Sequence, residues 1–332
     1  MKPEQKSLRV GAAVIAFAVI LRFFGSGLAE DLAKLLIHPD FSAIMLYLGT
    51  GRVYHRYEGT PSDTPDSPAE QTDPPQVTEP EPVQAVFGEE DSLLVSLTNY
   101  PGYTLDVDAL LQEPLCWDLT IPEPTVLIYH SHTCESYENT ENYTASDPYR
   151  TQDPRYNMIS VGAHLASRLE EKGITVIHDT TVYDYPSYND AYILSRKTVE
   201  DYLAEYPSIC LVLDIHRDAY EDGNGNQARN TVTVNGVSSS RLMVLTGSNA
   251  SGQGHTQWQK NLSTAVKLQA VLERMYPGLC RPVTIRSTAF NQDMSPGALL
   301  IEVGTAGDTR QDALNAAGFL ADGIAALAHG SR

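Results

Sequence analysis

The 332-residue sequence predicts an α/β fold, a mostly parallel sheet with helices on both faces, preceded by an N-terminal membrane anchor. Three observations carry this. Between 126 and 328, short runs rich in Val, Ile and Leu alternate with longer patterns of helical period, as strands buried on both faces and their crossover helices do. An Asn-Gly pair between two short strand-like runs, Asn235-Gly236, breaks the alternation with a hairpin signal. Ahead of both lies one apolar stretch of about bilayer-spanning length, 10–29.

Taken in order, residues 1–9 hold Lys2, Lys6 and Arg9, a positive flank that places the N-terminus in the cytoplasm and the bulk of the chain outside. Val10 to Ala29 reads as a transmembrane signal anchor, with Arg22 snorkelling towards one face. A cleavable signal peptide competes, because Gly27 and Ala29 form a small-x-small site. Arg22 breaks the approach to that site, so the expectation is a retained, single-pass cell-membrane protein with its bulk extracytoplasmic. Residues 30–57 form a membrane-proximal helical segment, lying on the membrane or packed as a hairpin. Residues 58–92 are an acidic, Pro-rich disordered linker: Glu58 to Asp91 holds ten acidic residues, seven prolines and no Lys or Arg. Residues 93–332 have globular composition and form the catalytic domain.

Within that domain VLIY (126–129) is a strand, followed by a helix from Met158 ending at Gly173 and a strand TVIH (175–178). A helix near 189–205 leads to the strand ICLVLDI (209–215). TVTV and VSSS flank Asn235-Gly236 as a hairpin, RLMVLTG is the next strand and 256–276 the next helix. ALLIEVG (298–304) and a helix over 310–328 close the chain.

A net charge of −19 with no basic patch excludes a nucleic-acid binder. Over 93–332 there are 16 basic and 28 acidic residues, which excludes attraction to an anionic polymer as a means of binding. Cys116, Cys134, Cys210 and Cys280 form no CxxC pair, so they read as isolated thiols or structural bridges.

In a parallel sheet, catalytic groups gather beyond the carboxyl ends of the strands. VLIY runs into His130, LVLDI into His216 and ALLI into Glu302. His130 and His132 are two apart, so a continuing extended segment would turn both to one side, with Glu135 within reach. Imidazoles plus a carboxylate are a zinc set, and a catalytic zinc takes three protein ligands and a water. His130, Glu135 and His216 are the expected ligands; His132 either replaces Glu135, supports the set from behind or contacts substrate. Glu302, ending an apolar run, is the expected general base, since burial raises a carboxyl pKa. Arg217, Asp218, Asn291 and Asp293 are candidates for orienting ligands or substrate, or for bracing the fold. Cys134 beside the histidines lacks the helix N-terminus that would activate it. HRD at 216–218 has neither the Gly-rich loop nor the D-F-G of a kinase, and no G-x-S-x-G marks a serine hydrolase.

The runs LIYHSHTCESY (127–137), VLDIHRDA (212–219) and FNQDMSPGALLIEVGT (290–305), with a fainter WQKNL (258–262), resemble the stage II sporulation protein P family. The resemblance covers most of 100–330. It implies a zinc-dependent N-acetylmuramoyl-L-alanine amidase, with a further endopeptidase activity on cross-links, and a fold similar to bacterial cell-wall zinc amidases. It also implies action on peptidoglycan in forespore engulfment, with stage II sporulation proteins D and M as partners. In the wider amidases a glutamate ligand opens the helix after the first strand. That place falls near 153–157 here and holds no Glu, so Glu135 is assigned by its local sequence. Another exported zinc peptidase or esterase, or a non-catalytic scaffold, are the alternatives.

Overall fold

The computed structural model describes residues 87–329 except 89, 116–117, 139–142, 145–148 and 225. The expected anchor (10–29), the segment 30–57 and the linker up to 86 lie outside the described residues, as does Cys116. Among the described residues no helix is long and apolar enough to cross a membrane.

In chain order the strands of the main sheet are β1 (Leu97–Asn99), β2 (Val126–Tyr129), β3 (Val176–His178), β4 (Leu211–Asp218), β7 (Leu242–Thr246), β8 (Val283–Ile285) and β9 (Ala298–Thr305). These seven lie side by side in the order β1-β8-β7-β9-β4-β2-β3. β5 (Thr231–Val234) and β6 (Val237–Ser240) make the expected hairpin, its turn closed by Asn235 and Gly236 at φ 52° and 80°. The helices are α1 (Val107–Gln112), α2 (Met158–Glu170), α3 (Ala191–Glu205), α4 (Trp258–Met275) and α5 (Arg310–Ala328). Local chemistry sets their starts: Asn157 caps α2 through Ile159 N, and Thr309 with Asp312 forms a capping box on α5.

The sheet is parallel except where β7 meets β9, so two parallel blocks run in opposite directions. The connection explains it. Parallel neighbours need a crossover of a dozen or more residues. Here the chain passes from β4 through the hairpin and enters β7 after Arg241 alone, with no helix between.

The faces are covered unequally. Val126, Ile128, Leu213, Ile215, Leu299 and Ile301 point into one large core with α2, α4 and α5. Leu127, Tyr129, Val212 and Ala298 point the other way into a small core under α3. This alternation of neighbours across a strand fixes which functional residues meet. The described residues of 87–92, expected in the linker, belong to the fold. Phe87 is buried, Gln112 Nε2 donates to its carbonyl at 3.1 Å, and Asp91 pairs with Arg274 of α4. The acidic composition of the segment concealed its one aromatic anchor.

Candidate metal centre

His216 occupies the β4 position that faces the thinly covered side, and register pairs it with Glu302 of β9. Past Tyr129 the chain leaves β2 in a turn over 131–134 that lifts His132 and Glu135 above the same face. Donor atoms of His132, Glu135 and His216 all lie within 4.8 Å of one another. Glu135 Oε2 stands 3.3 Å from His216 Nδ1, and Glu135 Oε1 stands 3.6 Å from His132 Nδ1. A cleft of about 480 Å³ opens on this group, lined by His132, Glu135, His216 and Glu302, with Tyr188 and Tyr192 from the α3 side.

His130, expected among the ligands, is elsewhere. It follows Tyr129 by one residue, so it faces the large core, where its Nδ1 lies 2.9 Å from Ile215 O and its Nε2 lies 2.9 Å from His178 Nε2. Nδ1–H donates to the carbonyl, and the remaining Nε2···Nε2 contact takes a single proton. Burial, with His178 opposing a second charge, lowers the His130 pKa to about 3. α2 presses on both rings: a Cβ on Gly162 would stand 2.5 Å from His130 Nε2. The expected two-residue relation between His130 and His132 fails because the segment is not extended beyond Tyr129.

Each group of the cluster is braced. Asp214, two residues before His216 and on the same face, accepts from His216 Nε2 at 2.9 Å and from Ser131 N and Oγ at 2.8 and 2.7 Å. That contact leaves His216 Nδ1 for the cleft, as a carboxylate behind a ligating histidine does. Burial alone would lower the His216 pKa; the Asp214 and Glu135 carboxylates raise it well above the ordinary value. Burial opposes ionisation of Glu135, yet Arg217 and His216 hold its carboxyl well below the usual range. Arg217 N donates to Glu135 Oε2 at 3.2 Å, and its guanidinium donates to Ser136 O and Tyr149 O at 2.9 Å each. Tyr188 stacks on His132, ring centroids 4.1 Å apart.

Glu302 contrasts with Glu135. Burial pushes its carboxyl up to about 8, with His216 pulling it down and Glu135 adding to the rise. Its Oε2 is buried with no hydrogen-bond partner among the described residues. Two imidazoles and an ionised carboxylate converging beside this orphaned oxygen fit a zinc ion with a position left for water.

The other candidates separate. Arg217 orients Glu135, whereas Asp218, at the rim, is held by Arg281 at 2.8 Å. Asn291 Nδ2 donates to Tyr192 O at 2.8 Å, and Asp293 takes both guanidinium nitrogens of Arg196 at 2.9 and 2.8 Å, so both tie a loop to α3. Cys134 is buried, its thiol raised to about 12 by burial and Asp184, and it is no nucleophile. Cys134, Cys210 and Cys280 are free thiols. Asp214, Ser131, Tyr188 and Tyr192 were not singled out from sequence. Asp214 carried a usable signal, sharing the strand parity of His216. The tyrosines carried none, because their placement depends on how α3 packs.

Among solved structures the chain is similar to an N-acetylmuramoyl-L-alanine amidase from Clostridium difficile 630, at 19% identity and a TM-score of 0.34, covering 62% of this chain and 95% of that one. It is also similar to an N-acetylmuramyl-L-alanine amidase from Mycobacterium abscessus, at 12% identity and a TM-score of 0.36, covering 62% and 99%. Stage II sporulation protein P of Bacillus subtilis (strain 168) is 28% identical over 208 residues, 59% of this chain and 49% of that protein. The match thus spans about half the length of that relative. The sequence profile of stage II sporulation protein P matches residues 56–325, both histidine-bearing segments and Glu302 included, and the chain belongs to that family.

Proposed function

We propose that the chain is a zinc-dependent N-acetylmuramoyl-L-alanine amidase that cleaves peptidoglycan during forespore engulfment. The observation that carries this is the convergence of His132, Glu135 and His216 beside a carboxyl, Glu302, that burial keeps near neutral pKa. A zinc ion held by those three residues supplies a Lewis acid for the lactyl carbonyl and a water acidic enough to be deprotonated near neutral pH. Glu302 accepts the proton of the attacking water and returns it to the departing L-alanine nitrogen. A pKa near neutrality suits both transfers. Asp214 and Arg217 hold His216 and Glu135 in place, so little reorganisation is needed during reaction. The chain is anchored in the cell membrane through 10–29, with stage II sporulation proteins D and M as its partners.

The test uses the full-length chain with measured zinc content, isolated peptidoglycan and mass spectrometry of the products. Peptide-free glycan strands are expected from the wild type. Glu302→Gln is expected to keep its zinc and lose about 10²–10⁴-fold in rate. Cleavage confined to peptide cross-links would sink the amidase reading, and full activity in Glu302→Gln would sink the general-base role.

A further inference from the structure

FNQDMSPG, from 290 on, lies outside the chemistry assigned above, yet the loop holding it is built with unusual care. Phe290 and Asn291 both sit in the left-handed region, at φ 51° and 60°, a conformation that disfavours a bulky side chain. The loop is fixed from several sides. Gly247 N donates to Gln292 Oε1 and Gln292 Nε2 donates to Leu245 O, each at 2.9 Å, and Ala289 N donates to Gln253 Oε1 at 2.8 Å. It also lies tight on β7's end, since a Cβ on Gly247 would stand 2.5 Å from Thr288 O. Strain held this firmly serves a placement, here that of the Phe290 ring.

That ring meets Tyr192 edge to face, centroids 5.9 Å apart, and both residues line two adjoining spaces. One is the cleft over His132, Glu135 and His216. The other, about 390 Å³, lies beyond them, with Gln253, Thr288, Asn291 and the Arg196–Asp293 pair on its walls. Its chemistry is two aromatic rings, Phe290 and Tyr192, among uncharged amides, a hydroxyl and one ion pair. Arg196, its one cation among the described residues, is matched by Asp293 on two nitrogens and by Glu200 at 3.0 Å. A stem peptide carries free carboxylates and would require an uncommitted cation. A neutral sugar offers an apolar ring face for stacking and hydroxyl and N-acetyl groups for amides.

We infer that this second compartment is a glycan subsite, with Phe290 as its stacking platform, holding an N-acetylated sugar on the glycan side of the scissile amide. The inference rests on the amidase reading, and its test is chosen to separate the two. The probe is the peptide-free tetramer of N-acetylglucosamine, titrated against the full-length chain, with a free stem tripeptide in parallel. Phe290→Ala is expected to raise the tetramer Kd about tenfold, the effect of losing one stacked ring. Thr288→Met, at an exposed position, fills the same space without adding charge and is expected to weaken tetramer binding about tenfold even where Phe290→Ala fails to fold. Thr288→Met, which lines only the second space, is expected to leave binding of the tripeptide unaltered. Tetramer affinity unchanged in both variants, or tripeptide binding lost in both, overturns the subsite. Lactyl-amide cleavage by a wild type that does not bind the tetramer overturns the subsite alone. Tetramer binding that depends on Phe290 in a chain without cleavage overturns the amidase reading alone.

Discussion

At the scale of single residues, two histidines two positions apart have opposite fates. His132 is free to meet a metal because it sits in a turn, while His130 is spent on Ile215 O and His178. His132→Ala is therefore expected to hold less than about a tenth of the wild-type zinc, the fate of a three-ligand site reduced to two. His130→Gln is expected to keep its zinc and lose about 1–3 kcal/mol of folding stability, since it disturbs a buried hydrogen-bonded pair. Metal content and denaturant unfolding of the two variants check both. Asp214→Asn leaves the three donors intact but removes the carboxylate behind His216, and zinc affinity is expected to fall about 10–100-fold in a competition titration. His216, Glu135 and Glu302 could be read from the sequence because each is a rare polar group at or near the end of an apolar run. The exchange of His132 for His130 could not, because runs such as VLIY locate a strand without saying where it stops. One residue of extension decides which face its successors take.

At the scale of elements, the long helices α2 to α5 follow from their period and the strands β2, β3, β4, β7 and β9 from their apolar runs, and α5 coincides with its expected span of 310–328. The three-residue strands β1 and β8 and the short α1 do not, since so few residues carry no period. The helix α4 contains a further departure from pattern. Lys267 is buried on its core side, its Nζ donating to Leu110 O and Ser263 Oγ at 2.6 Å each. Burial lowers its pKa from 10.5 to about 8. Between those values the unfolded chain binds more protons than the folded one, so stability rises with pH across that window. Below about pH 8 the folded state carries the full penalty of a desolvated ammonium. Lys267→Met is expected to stabilise the chain by about 1–2 kcal/mol at pH 7 and to flatten the rise between pH 8 and 10.5, read from urea midpoints at several pH values.

At the scale of the whole molecule, one face of the sheet is closed by α2, α4 and α5 and the other is left open beside α3. On the proposed function, zinc bound there would tie the turn at 131–135 to β4, which neither core does. Saturating zinc at about 100 times Kd adds roughly 2.7 kcal/mol, so a chelator is expected to lower the unfolding temperature by about 5–10 °C in a thermal scan. The unequal cover also divides the consequences of mutation. Changes on the closed side act through volume: an alanine at Gly162 drives into two imidazoles and threatens the fold itself. Changes at His132 or Glu302 remove polar groups from the wall of the cleft and leave the large core untouched. On the proposed function, a cell expressing such a chain would carry a protein of full stature without its hydrolytic action. Genetics can then ask whether the molecule's presence, apart from the proposed catalysis, contributes to sporulation.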